Sequence, residues 1–171
     1  MSSSGKNLSS FDKTKVPDAS AFRFGIVVAE WNSEITEALY NGAFSALTEC
    51  GAQKENIIRL NVPGSFELTA GAKFLVEHEK LNAVICLGCV IQGETRHFEF
   101  ICTAVSQGLT LLAVRFSLPF IFGVLTTDNQ QQAIDRAGGK HGNKGIEAAV
   151  TAIKMADLKN QIGKDRQIGF R

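Results

Sequence analysis

A histidine placed directly behind a glycine loop is the first chemical feature of this chain. Gly93-Glu94-Thr95-Arg96-His97-Phe98 follows the apolar run Ala83-Val84-Ile85-Cys86-Leu87. That order reads as a buried strand, a loop and the first turn of a helix. Open α/β sheets bind ligands at such strand ends. The unpaired N–H groups and the dipole of a helix start favour an anion, and imidazole gains or loses its proton near neutral pH. The segment therefore suits an anionic substrate beside an acid/base group. Taken alone, His97 reads equally well as a hydrogen-bonded helix-start residue.

Other segments carry the same double reading. Trp31 and Phe66 sit just past strand ends, where they serve the core or stack on a planar ring. Glu67 is either a first-turn charge or an acceptor for a heterocycle N–H. Arg136-Ala137-Gly138-Gly139-Lys140-His141-Gly142-Asn143-Lys144-Gly145 holds three cations and four glycines. By itself it reads as a solvated turn, with Arg136 favourable at a helix end; the functional alternative is a phosphate clamp. Gly88 to Thr95 nearly matches a nucleotide phosphate loop, but Glu94 stands where that loop needs lysine and would repel phosphates. Cys86-Leu87-Gly88-Cys89 has redox spacing. Strand positions three apart face opposite ways, so the two thiols read as buried and structural. No second cysteine pair completes a zinc site, so no metal is expected. His78 and His141 read as solvated.

The elements that must position these residues alternate along the chain. Phe24–Ala29, Ile57–Val62, Ala83–Leu87 and Phe120–Leu125 are apolar enough to be strands buried on both faces. Asn32 or Ser33 is placed to cap a helix through Leu47. Phe66 to Val76 reads as a second helix. Phe98, Ile101, Val105, Leu109, Leu112 and Phe116 fall three and four apart, which predicts one long helix from His97 to Ser117. A strand inside it would leave too few residues for a parallel crossover. Asn129 to Ala137 and the residues around Ile146 to Ile153 complete the set. This pattern predicts α/β class and a three-layer αβα sandwich over a four-stranded parallel sheet. Its polar segments gather at one edge.

Bulk properties narrow the function classes. The chain has 171 residues, 44% hydrophobic and 20% charged, with a formal net charge of +1. One domain is the simplest reading, and there is no basic excess to suggest nucleic acid. No 18-residue apolar run suggests a membrane span. The start lacks a signal-peptide core. Its serines suggest a transit peptide only weakly, since Asp12 is present and no arginine precedes Arg23. Four cysteines in apolar or helical contexts suit a reducing cytoplasm. Residues 1–21 form a polar lead, mobile unless a neighbour ties it down. Residues 22–158 form the domain, and 159–171 a basic tail.

Together these segments resemble the 6,7-dimethyl-8-ribityllumazine synthase family. The resemblance runs from about Phe22 to Leu158. It rests on Ala29-Glu30-Trp31-Asn32, Pro63-Gly64-Ser65-Phe66-Glu67, Gly88 through Glu99, Phe122-Gly123-Val124-Leu125-Thr126-Thr127, and Gln132 through Gly145. It implies a flavodoxin-like fold. It also implies an enzyme of riboflavin biosynthesis that condenses 5-amino-6-(D-ribitylamino)uracil with 3,4-dihydroxy-2-butanone 4-phosphate and needs no cofactor. By that resemblance Trp31 stacks on the pyrimidine, and Asn32, Gly64, Ser65, Phe66 and Glu67 line the ribityl chain and ring edge. Cys89, Val90 and Ile91 bind the uracil, largely by backbone. Glu94 and Thr95 offer N–H groups to the phosphate, and His97 is the proton donor and acceptor. Phe122 and Arg136 come from a neighbouring subunit, Arg136 binding phosphate with Lys144. The resemblance thus favours the clamp over the solvated turn. Trp31 stands where Phe is frequent in the family, Cys89 where Ala is, and Arg96 where Pro or a small residue is.

The resemblance further implies a homo-oligomer with active sites between subunits. This is a pentamer and, given the short Gly138 to Gly145 turn, an icosahedral shell of twelve pentamers. The lead then adds a strand to a neighbour's sheet, and riboflavin synthase is a potential partner. Two other classes stay open at this point. One is a flavodoxin-like module that holds flavin or lumazine without turnover; the other is a storage shell. An absorbance assay for lumazine formation separates both from an enzyme.

Overall fold

The computed structural model describes residue 7 and residues 9–168, with side chains through 163. The four expected strands form one parallel sheet: β1 (Phe24–Ala29), β2 (Ile57–Val62), β3 (Ala83–Ile91) and β4 (Phe120–Thr127), in the order β2-β1-β3-β4. Helices α1 (Ser33–Glu49) and α2 (Leu68–His78) follow β1 and β2; α3 (His97–Phe116) and α4 (Gln130–Arg136) follow β3 and β4. A 3-10 turn at Ser65–Glu67 leads into α2, so this helix starts two residues later than its apolar spacing suggests.

The period-2 alternation of a strand sends successive side chains to opposite faces. Phe24, Ile26 and Val28 of β1 and Ile85, Leu87 and Cys89 of β3 join one core cluster with Leu39 and Leu47 of α1. Val27 and Ala29, with Val84 and Cys86, join the other with Leu68 and Leu75 of α2 and Val105 and Leu109 of α3. The sheet is thus covered on both faces, as an αβα sandwich requires. The same alternation puts Cys86 and Cys89 in different clusters, which excludes the redox-pair reading.

The two longer strands, the cationic turn and the last helix depart from expectation. β3 continues to Ile91 and β4 to Thr127, because the two strands keep pairing in register through Ile91 and Thr127. The glycine at 88 is therefore inside a strand. The cationic turn is a small antiparallel ribbon, β5 (Ala137–Gly139) with β6 (Gly142–Asn143). The last helix, α5 (Lys144–Ile168), starts at that ribbon and extends well into the basic tail.

The lead is partly tied down by the chain itself. Ala19 is buried, and Phe11 and Val16 pack against the core. Ala19 N–H donates to Cys50 O at 2.9 Å. The 3-10 turn Lys13–Lys15, capped by Asp12, is its regular element among the described residues. Residues 1–6 and 8 lie outside the described residues, as do 169–171 of the tail.

Helix α3 is long and apolar enough to cross a membrane by length and composition. Here one side of it packs on the sheet through Val105, Leu109 and Leu112. Phe100, Leu111 and Val114 remain exposed on it. Residues 11 and then 3 apart share a helix face, so these three form an unpartnered apolar strip.

Candidate active site

The strand ends build a cavity of about 690 Å3 at the carboxyl rim of the sheet. β1 supplies the turn with Trp31 and Asn32; β2 runs into Pro63 and Gly64; the 3-10 turn gives Ser65, Phe66 and Glu67. β3 contributes Cys89, Val90 and Ile91, and α3 contributes His97 and Ile101. Ten of the sequence-assigned residues therefore meet in one place. Pro63 and Ile101 complete the lining. Ile101 was legible as a pocket residue only through its position one helical turn beyond His97.

The wall is made by an overhang. β1 pairs with β3 only as far as Val28 and Leu87, while β3 runs on to Ile91. Gln92 N–H donates to Thr127 O at 2.8 Å, and Asn32 Nδ2 donates to Cys89 O at 3.0 Å. Backbone groups of a parallel strand point alternately to its two neighbours. Gln92 and Val90 therefore face β4, whereas Cys89 and Ile91 face the gap where β1 has ended. Cys89 O is taken by Asn32. The Cys89 N–H and both backbone groups of Ile91 are directed toward the cavity, where a planar amide edge would complement them.

Asn32 holds this gap open. It takes a left-handed conformation with φ 59° and ψ 47°, which asparagine tolerates better than most side chains. It occupies the N-cap position of α1, but its side chain makes no capping bond, contrary to the capping role expected from sequence. Its amide is committed across the cavity floor to β3 instead.

Trp31 is 72% exposed and Phe66 57%, so both rings stand at the rim rather than in the core. Ser65 is buried, and its Oγ has no hydrogen-bond partner among the described residues. Burial pushes the Cys89 thiol up to about 11 and the Cys86 thiol higher still. Neither is a thiolate near neutrality, so nucleophilic sulfur chemistry is disfavoured here.

The remaining assigned residues do not line this cavity. Glu94 and Thr95 are exposed before α3, and Thr95 Oγ1 accepts the His97 N–H at 3.4 Å, occupying one of the helix-start donors. Phe122 is exposed on the edge strand β4. Arg136 ends α4 with no ion pair among the described residues, and Lys144 pairs with Glu147 at the start of α5. Within one chain, the lining thus contains Glu67 and His97 but no lysine or arginine. Among the described residues no group of three His, Cys, Asp or Glu side chains is placed to hold a metal.

Comparison with known proteins decides the family. The family model described as 6,7-dimethyl-8-ribityllumazine synthase matches residues 21–160. The chain belongs to the 6,7-dimethyl-8-ribityllumazine synthase family. It is 64% identical over 155 residues to the 6,7-dimethyl-8-ribityllumazine synthase of Cytophaga hutchinsonii, covering 91% of this chain and 97% of that relative. It is 58% identical over 161 residues to that of Flavobacterium johnsoniae, covering 94% and 85%. For the Parabacteroides distasonis synthase the figures are 57% over 158 residues, 92% and 99%. The lumazine synthase match spans every segment that lines the cavity.

Proposed function

We infer that this chain catalyses the reaction of its family. It condenses 5-amino-6-(D-ribitylamino)uracil with 3,4-dihydroxy-2-butanone 4-phosphate to 6,7-dimethyl-8-ribityllumazine, phosphate and water, in riboflavin biosynthesis. The observation that carries this reading is the overhang of β3. It presents free backbone groups to a slot rimmed by Trp31 and Phe66, with His97 at its mouth. Such a slot suits a flat, amide-edged heterocycle.

The residues divide the work accordingly. Trp31 and Phe66 flank the ring; Cys89 and Ile91 engage its amide edge through backbone; Ser65 and Glu67 meet the polyol and ring N–H. An amine of the pyrimidine attacks the ketone, and loss of water gives an imine. Elimination then expels phosphate and leaves an enol, which tautomerises to a ketone; the second amine closes on this new carbonyl with loss of a second water. Each step moves a proton between nitrogen, carbon and oxygen, which His97 serves. Alignment of the two reactants supplies much of the rate, up to ~7–11 kcal/mol in favourable cases.

The expelled phosphate needs a fixed cation, ideally a bidentate guanidinium. The single-chain lining lacks one, so Arg136, Lys144 and Phe122 come from an adjoining copy. The exposed apolar strip Phe100, Leu111 and Val114 supports such self-association. In the finer reading five copies close a ring, twelve rings close a shell, and the lead adds a strand to the open edge of a neighbour's β2. Riboflavin synthase is then the natural consumer of the product. A reducing cytoplasm is the compartment in this reading, and the four free cysteines support it. Incubating purified protein with both substrates tests the reaction. Appearance of the fluorescent lumazine with release of one phosphate per turnover is expected; binding of the pyrimidine without product formation would overturn it.

A further inference from the structure

Two cations assigned to the phosphate flank a residue to which no role has been given. Asn143 ends the small ribbon, with Lys144 next in the chain and Arg136 immediately before β5. Its side chain is buried, only 7% of the residue being exposed. The amide Nδ2 donates to Ala38 O of α1 at 2.9 Å and to Ala137 O at 3.3 Å. The amide Oδ1 accepts Gly145 N–H at 2.8 Å, and the Asn143 N–H donates to Ser9 Oγ at 2.9 Å. One planar amide thus holds the residue after Arg136, the residue after Lys144 and the wall of α1.

The surroundings are shaped to this side chain. A Cβ on Gly42 of α1 would lie 2.6 Å from the Asn143 amide. A Cβ on Gly145 would strike the carbonyl of Leu39 at 1.9 Å. Thus α1 approaches Asn143 of the ribbon at Gly42, and the start of α5 approaches α1 at Gly145, each at a distance that only glycine allows.

We propose that Asn143 is a positioning residue that fixes the spacing of Arg136 and Lys144, and so the affinity of the phosphate subsite. The argument rests on the reading that these two cations bind the phosphate of the butanone substrate. Asn143 touches no substrate; it acts through the backbone of Ala137 and Gly145. An aspartate would keep the acceptor, remove both donors and turn a negative charge toward two carbonyls. A serine is too short to bridge the three partners.

Steady-state kinetics on intact oligomers tests this, with both KM values measured separately and inorganic phosphate as a competing ligand. Asn143→Ser is expected to raise KM for 3,4-dihydroxy-2-butanone 4-phosphate and the inhibition constant of phosphate about tenfold or more. KM for the ribitylaminouracil should stay within about twofold. Gly42→Ala pushes on the same amide from α1 and should give a weaker shift in the same direction; it carries the test if Asn143→Ser does not fold. Equal shifts in both KM values, or none in a folded variant, would overturn the proposal. Arg136→Ala separates the two layers. If it leaves phosphate affinity intact, the underlying assignment of the cations fails; if it weakens phosphate and Asn143→Ser does not, the positioning role alone fails.

Discussion

His97 and Arg136 are assigned different work, and their replacements should differ accordingly. His97 lies at the mouth of the cavity on an exposed helix start, where water and buffer can replace part of its proton transfer. His97→Ala should therefore be slowed by ~10²-fold or somewhat more, yet remain active through alignment of the substrates. Arg136→Ala removes the fixed charge that meets the leaving phosphate and should lose most of the activity, with KM for the butanone phosphate raised. Turnover assays with both variants check this, and unaltered rates would contradict the roles. Cys89 gives an independent prediction. Its protonated, buried thiol should resist alkylation by iodoacetamide at neutral pH, with reactivity climbing only toward its raised pKa of about 11. Mass spectrometry of the modified peptide reads this directly; rapid labelling at pH 7 would contradict the burial.

At the scale of elements, the cavity exists because β3 outruns β1 and the 3-10 turn packs under the overhang. Gly88 sits at that junction. A Cβ there would lie 2.7 Å from Ser65 Oγ and 2.9 Å from Leu68 Cδ1. Gly88→Ala should therefore push the Ser65–Glu67 turn outward, cost ~1–3 kcal/mol of stability and raise KM for the pyrimidine. Denaturant titration with kinetics reads both. The strand identities and the long α3 were legible because buried apolar runs and three-and-four spacing are strong signals. The overhang was not. Gly88 read as loop punctuation, and only pairing with β4 reveals that the ladder continues past it. The ribbon around Gly138–Asn143 was likewise hidden, since strands of three and two residues show no alternation. Past Ile153 the apolar spacing of α5 thins to Ala156, Leu158 and Ile162 among charged and polar residues, too sparse to mark the helix end. In the site, the cavity lining from Trp31 to His97 was legible through motif order. Asn32's structural task was not, because its left-handed turn and its bond to Cys89 depend on the approach of β3 to the β1 end.

At the scale of the whole molecule, the proposed phosphate site is one that a second copy completes. One chain brings together a ring slot and an imidazole but no lysine or arginine, while an apolar strip on α3 stands uncovered. Both are explained if copies of the chain associate through α3 and lend each other Arg136. Leu111→Asp should break the oligomer into smaller species in analytical ultracentrifugation and abolish activity while leaving the secondary structure unchanged. A variant that sediments as wild type despite that charge would place the interface elsewhere. The shared cavity is tested most directly by co-expressing His97→Ala with Arg136→Ala and measuring the turnover of the mixed oligomers. If the two groups come from different copies, each site draws its histidine and its arginine independently, so about a quarter of the sites regain both groups, every interface of a symmetric homo-oligomer being alike. Activity well above the mean of the two separate variants is the expected result. Activity equal to that mean would place His97 and Arg136 of one chain in the same site, or in none, and contradict a cavity built by two protomers.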